Sequence, residues 1–167
     1  MTVERCDDGR WLLSAEAYGV YKDCMYRPTL EAYRAGMERL LRDGSVRVFT
    51  AREKDERAGM LVLRLNDEAS AEIAGIAVKE DCRKRGIAGN LLKEAVRQLK
   101  LSRVCAETDG DAMGFYRKAG FDVQSKLMHY ANGDLTRYDC VWKSAGGEKE
   151  SAVLMDEPAP HDCKGRE

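Results

Sequence analysis

Histidine is scarce in this chain, His129 and His161 being the only two, and none of the six cysteines stands in a CxxC pair. Structural zinc sites draw their ligands from tight pairs, so no metal is expected to organise the fold. Charge of one sign is also missing. The 28 Lys and Arg against 29 Asp and Glu leave a net charge of -1, too little positive field to grip a polyanion, so nucleic acid is not an expected partner. Apolar runs are only a few residues long, and Met1-Thr2-Val3-Glu4-Arg5-Cys6-Asp7-Asp8 lacks the apolar segment of a signal peptide. No membrane span and a cytoplasmic location are the expectations. Asn-x-Ser/Thr is absent too, in keeping with free thiols at Cys6, Cys24, Cys82, Cys105, Cys140 and Cys163 rather than disulfides.

What the chain does have is 167 residues, 44% of them hydrophobic and 34% charged, enough for one globular domain with a sizeable core. Tyr18, Tyr21 and Met25 recur at helical spacing within a first helix over 11–26. A second helix carries Leu30, Tyr33, Met37, Leu40 and Leu41 on one face, with Thr29 as its N-cap and Asp43-Gly44 as its stop, and forms a hairpin with the first. Val46–Phe49 and Met60–Leu63 flank a charged turn and read as an antiparallel pair, followed by a strand over Ala71–Val78. From Gly86 a long helix buries Ile87, Leu91, Leu92, Ala95, Val96 and Leu99. A strand over Leu101–Ala106, a short helix over Asp109–Lys118 closed by Gly120, and strands near 121–130 and 136–142 complete the order. The strand, helix, strand passage is a βαβ unit with a parallel pair. Residues 144–167, rich in Gly, Glu, Lys and Pro, read as an irregular tail after a domain over 1–143.

Between the third strand and the long helix lies Arg83-Lys84-Arg85-Gly86-Ile87-Ala88-Gly89. The first turn of a helix presents unpaired N–H groups and the positive end of its dipole, which stabilise an anion. Gly86, Ala88 and Gly89 are small enough to admit a phosphate to that backbone, and Arg83, Lys84 and Arg85 add charge. Neither GxxxxGK[ST] nor GxGxxG is present, so this is neither a Walker loop nor a dinucleotide fingerprint.

Ile76-Ala77-Val78 followed by Arg83 to Ala88 resembles motif A of the GCN5-related N-acetyltransferase (GNAT) superfamily, Gln/Arg-x-x-Gly-x-Gly/Ala after a strand. Residues 107–121, ending Phe115-Tyr116-Arg117-Lys118-Ala119-Gly120-Phe121, resemble its motif B. The resemblance implies an α/β fold with a mixed central sheet, splayed parallel strands and flanking helices. It implies acetyl-CoA as co-substrate, with the diphosphate on the backbone of Lys84 to Gly89 and the pantetheine arm pairing with Ile76, Ala77 and Val78 like an added strand. Asp109 stands where many members carry Asn, and a carboxylate cannot donate a hydrogen bond as an amide does.

Acetyl transfer from a thioester to an amine needs a neutral nucleophile, a stabilised oxyanion and a proton for the departing thiolate. Tyr116 matches the family's general acid, and a phenol near pKa ~10 can protonate a thiolate whose conjugate acid titrates near ~8.5. The bland reading makes Phe115, Tyr116 and Phe121 core aromatics. Glu72, thirteen positions before Arg85, is the candidate base; alternation sets it on the face of Ala74 and Ile76 unless a bulge near Gly75 re-aims it. Such a bulge would free the N–H of Ile76 or Ala77 for the thioester oxygen. Glu107, Asp109 and Asp111 do not make a calcium loop, because the twelfth position is Lys118.

The acceptor is an amine on a small molecule or a protein, entering beside the first two helices, where Trp11, Tyr18, Tyr21, Met25 and Tyr26 either line a cleft or fill the core. A homodimer is compatible with the chain. The alternative from another class is a non-catalytic acyl-CoA-binding sensor that keeps the loop without the chemistry.

Overall fold

The sequence Ala58-Gly59-Met60-Leu61-Val62-Leu63 has no polar position to turn towards water, which fits a strand covered on both faces. In the computed structural model, which describes residues 1–145, it is the middle of β3 and is buried throughout. The elements run β1 (Thr2–Arg5), α1 (Gly9–Leu12), α2 (Ala15–Tyr21), a 3-10 turn (Lys22–Cys24), α3 (Leu30–Arg42), β2 (Val46–Glu53), β3 (Glu56–Leu65) and β4 (Ser70–Val78). A second 3-10 turn (Glu80–Cys82), α4 (Ile87–Leu99), β5 (Arg103–Thr108), α5 (Met113–Lys118), β6 (Asp122–Tyr130) and β7 (Gly133–Lys143) follow. Met1–Leu101 and the residues from Ser102 onward form two compact units.

In the first unit β1, β2, β3 and β4 pair antiparallel in that order. One face carries Val48, Met60, Val62 and Ala77, packed with Trp11, Leu12, Val20, Tyr21, Tyr33 and Met37 of α1 to α3. The other face meets α4, and it does so at close range: a Cβ on Gly59 would lie 2.9 Å from Ile87 Cγ2 and 3.1 Å from Leu91 Cδ1. Glycine at 59 lets the helix settle onto the strand. In the second unit β7 lies between β5 and β6, all antiparallel, and α5 packs on β6 and β7.

Several boundaries differ from the sequence expectation. The first helix is two: Ser14 Oγ accepts the Ala17 N–H at 3.1 Å and starts α2, while Asp8 Oδ1 accepts the Trp11 N–H at 3.1 Å and caps α1. Two caps inside one apolar stripe divide it. Thr29 caps α3 as expected, accepting the Ala32 N–H at 3.0 Å. Leu101 belongs to the end of α4 rather than to β5; its N–H returns to Val96 O at 3.0 Å, with Lys100 left-handed at φ 53°. The helix of motif B starts at Met113, because Asp109 Oδ1 takes the N–H groups of Asp111 and Ala112 (3.1 Å each) in the turn before it. β1 was not expected, its four residues being too short for a pattern. Of the expected tail, residues 146–167 lie outside the described residues, and so do His161 and Cys163.

Candidate functional site

β4 is the strand on which the first-unit site is built, and its backbone sorts itself into two sets. Lys79 N–H donates to Ala58 O at 2.8 Å, directly opposite in the register. Bonded and non-bonded pairs alternate along an antiparallel ladder, so Ala77 also bonds towards β3 while the N–H and C=O of Ile76 and Val78 turn away from it. Of the three residues expected to hold the pantetheine arm, Ile76 and Val78 thus offer outward groups, and Ala77 gives its backbone to β3 and its methyl to the core.

The register then slips. Val62 faces Gly75 and Leu63 faces Ile73, leaving Ala74 as one extra, exposed residue. That bulge shifts the parity of everything before it. Glu72 lies opposite Arg64 and shares a face with Gly75 and Ala77, the side covered by α1 to α3, not the side of Ala74 and Ile76 that uninterrupted alternation gives. It is half-buried. The bulge near Gly75 is the re-aiming device anticipated from the sequence; Ile76, not Ala77, is the residue whose N–H is turned outward.

The same face brings a phenol to the bulge. Tyr21, at the last turn of α2, is packed against Tyr33 with ring centroids 5.8 Å apart, and Tyr33 is itself anchored by a 2.6 Å hydrogen bond from its hydroxyl to Leu12 O. A Cβ on Gly75 would overlap the Tyr21 hydroxyl and lie 2.6 Å from its Cζ. Only glycine at 75 admits this approach. Beside it, Cys24 donates to Tyr21 O at 3.2 Å. Although much of the residue is exposed, burial of its thiol pushes the Cys24 pKa up to about 12, against the opposing pull of the Tyr21 side chain and the Ile76 N–H. A raised pKa removes thiolate, so with ~10⁻⁴ ionised at pH 8 against roughly a quarter of a free cysteine, Cys24 alkylates far more slowly than an ordinary thiol and its rate keeps rising beyond pH 10. Peptide mass spectrometry after timed iodoacetamide pulses measures this; free-cysteine rates at pH 8 would contradict the enclosed thiol. Of the other aromatics, Trp11 is buried beneath the Arg57 guanidinium at 4.3 Å and Tyr26 is 87% exposed, so they do not share the place of Tyr21.

From Val78 the chain enters the basic loop. Gly86 is the residue before α4, left-handed at φ 77°, with no side-chain cap on the helix. The first N–H groups of α4, from Ile87 to Gly89, therefore keep their outward donors. A Cβ on Gly89 would meet nothing within 4 Å, leaving open space over that turn. Ile87 is buried against the sheet and holds the turn in place. The arginines are less available than their exposure suggests. Arg83 pairs with Asp23 and its Nε donates to Val78 O at 3.0 Å; Arg85 donates to Glu53 Oε2 at 2.9 Å and to Asp81 O at 3.0 Å. Lys84, exposed and left-handed at φ 61°, has no ion pair among the described residues.

In the second unit, motif B has a plain physical basis. Gly120 N–H returns to Arg117 O at 3.1 Å and Phe121 N–H to Tyr116 O at 3.0 Å, with Gly120 at φ 88°. This is a Schellman cap, and Phe121 packs edge-on against Tyr116 at 5.2 Å, the apolar contact that accompanies it. Tyr116 is 5% exposed, with Phe115 at 5.1 Å on another side. Its ring is fixed in position. Asp109 is occupied as the turn acceptor described above, in keeping with its inability to donate. Glu107 binds Lys126 at 2.8 Å and Arg137 at 3.1 Å, and Lys126 also reaches Asp139 at 2.9 Å, tying the three strands together.

The family model for the acetyltransferase (GNAT) family matches residues 7–121. No curated protein matches the chain in sequence. Among solved structures, the chain is similar to a GNAT family acetyltransferase from Elizabethkingia anophelis with acetyl-CoA bound, at 20% identity and TM-score 0.60, over 86% of this chain and 97% of that one. It is similar to the ribosomal-protein-S18-alanine N-acetyltransferase from Escherichia coli at 16% identity and TM-score 0.65, over 90% and 98%. It is also similar to aminoglycoside 6'-acetyltransferase type Ii at 18% and 0.68, over 86% and 97%. At these identities the likeness is one of fold, the α/β class with flanking helices expected from the sequence. No helix among the described residues is long and apolar enough to cross a membrane.

Proposed function

The chain belongs to the GNAT acetyltransferase family, and from that premise we propose that residues 1–143 transfer the acetyl group of acetyl-CoA to an amine in the cytoplasm. The observation that carries this reading is the continuity of β4 with the loop: outward N–H and C=O groups at Ile76 and Val78 lead within eight residues to the uncapped first turn of α4. An arm bearing amides fits the first, and a diphosphate fits the second. The backbone from Lys84 to Gly89 holds the diphosphate, and Lys84 adds the charge that Arg83 and Arg85 have already given to Asp23 and Glu53. The Ile76 N–H takes the thioester oxygen, Glu72 receives the proton of the amine directly or through water, and Tyr116 returns a proton to the sulfur.

The acceptor stays at the level of an amine, because the similar proteins named above act on a ribosomal protein and on an aminoglycoside. The test is release of CoA thiol from acetyl-CoA against a panel of primary amines and N-terminal peptides. Thiol released in proportion to acetylated amine supports the enzyme. Tight acetyl-CoA binding with no thiol from any amine supports the sensor instead.

A further inference from the structure

Resting on the acetyltransferase reading, we propose that Tyr21 is a further catalytic residue, its hydroxyl donating a hydrogen bond to the acetyl carbonyl oxygen alongside the Ile76 N–H. A tyrosine that served only to fill the core would bring its ring, not its hydroxyl, to the sheet. Here the hydroxyl makes the nearest approach, and it does so over the one β4 residue that has no side chain, Gly75, next to the extra residue of the bulge. One residue further on is the N–H of Ile76, turned out of the ladder. Two donors from different elements thus serve one point at the inner end of the outward edge formed by Ile76 and Val78. The Cys24 thiol lies between them, in contact with the Tyr21 side chain and the Ile76 N–H. The Tyr33 ring and its hydrogen bond to Leu12 O hold the phenol there before any substrate arrives.

Donors fixed in advance around a developing charge stabilise it without reorganisation. In the reaction the amine nitrogen forms a bond to the carbonyl carbon, and the C=O π pair moves to oxygen, where Tyr21 and Ile76 hold it. As the C=O re-forms, the C–S bond breaks, CoA leaves as thiolate and takes up one proton, and the amine loses one. Tyr21 keeps its own proton throughout.

Tyr21→Phe in the full chain removes the hydroxyl and leaves the ring against Tyr33. Turnover is expected to fall roughly tenfold, less than the about 10²–10³ of a lone side-chain donor because the backbone N–H remains, with KM for acetyl-CoA within about twofold. The carbonyl stretch of bound acetyl-CoA labelled with ¹³C at the acetyl carbonyl, read by infrared difference, should move to higher wavenumber. Gly75→Ala, whose methyl displaces the hydroxyl, should give the same band shift, and the double variant should add nothing further. Acetyl-CoA that binds, transfers and shows an unmoved carbonyl band in Tyr21→Phe overturns the role of Tyr21 and leaves the acetyltransferase reading standing. A wild-type chain that binds no acetyl-CoA in calorimetry overturns both.

Discussion

Replacing Tyr116 with Phe lowers turnover by on the order of 10²-fold while acetyl-CoA affinity changes little, the low end for removing a general acid. The ring stays in place, because Phe115 and Phe121 pack against its faces and edges at 5.1 and 5.2 Å and the Schellman cap at Gly120 fixes the end of α5 without using the hydroxyl. Steady-state kinetics, single-turnover rates and thermal melting separate the two readings of this residue. A selective loss of the chemical step, with Tm unchanged, assigns the proton to Tyr116. Equal single-turnover rates in both proteins make Tyr116 a core aromatic, with the thiolate leaving through water. A matching fall in affinity and Tm would instead give the hydroxyl a buried structural bond, whose loss costs about 1–3 kcal/mol.

Gly86→Val weakens acetyl-CoA binding by on the order of 10²-fold, the equivalent of about 2–3 kcal/mol lost from charge-assisted hydrogen bonds to the diphosphate. Two effects act together. A branched Cβ before the first turn stands where a phosphate must approach the N–H groups of Ile87 to Gly89, and φ 77° at Gly86 is a conformation valine resists. Space is not the obstacle, since the nearest atom to a Cβ there, Asn90 Nδ2, is 3.8 Å away. The backbone conformation is, so a modest loss of Tm accompanies the loss of affinity. Calorimetry with CoA and a melting curve measure both. Wild-type affinity in a folded Gly86→Val protein would remove the α4 turn from the cofactor site.

The helix that carries this turn was legible because one stripe, Ile87, Leu91, Leu92 and Ala95, is buried where its spacing said it would be. Motif B was legible for a reason the sequence only hinted at: a glycine and two aromatics in that order build a capped helix end. Less was readable where distant residues decide. Ser14 lies inside an apolar stripe and nothing local announces that it starts a second helix. Ala74 is an ordinary strand residue until its register against β3 leaves it unpaired, and with it the face of Glu72 changes. Tyr21 was legible as one aromatic of a candidate cleft, but its approach to Gly75 joins residues 54 apart, and the pairing of Arg83 with Asp23 joins residues 60 apart.

That last pairing, with its companion between Arg85 and Glu53, makes the loop a carrier of its own counterions. A polyanionic cofactor arriving at the helix end does not meet two bare guanidinium groups; it meets charges already matched by the chain's own carboxylates. The cofactor's phosphates and these carboxylates compete for the same cations, so the long-range attraction is muted and the short-range backbone donors carry more of the binding. Added salt screens the approach of the cofactor and at the same time loosens the internal pairs that oppose it. These two effects run in opposite directions. The affinity of such a loop for a diphosphate therefore varies less with ionic strength than the three consecutive cations Arg83-Lys84-Arg85 would lead one to expect.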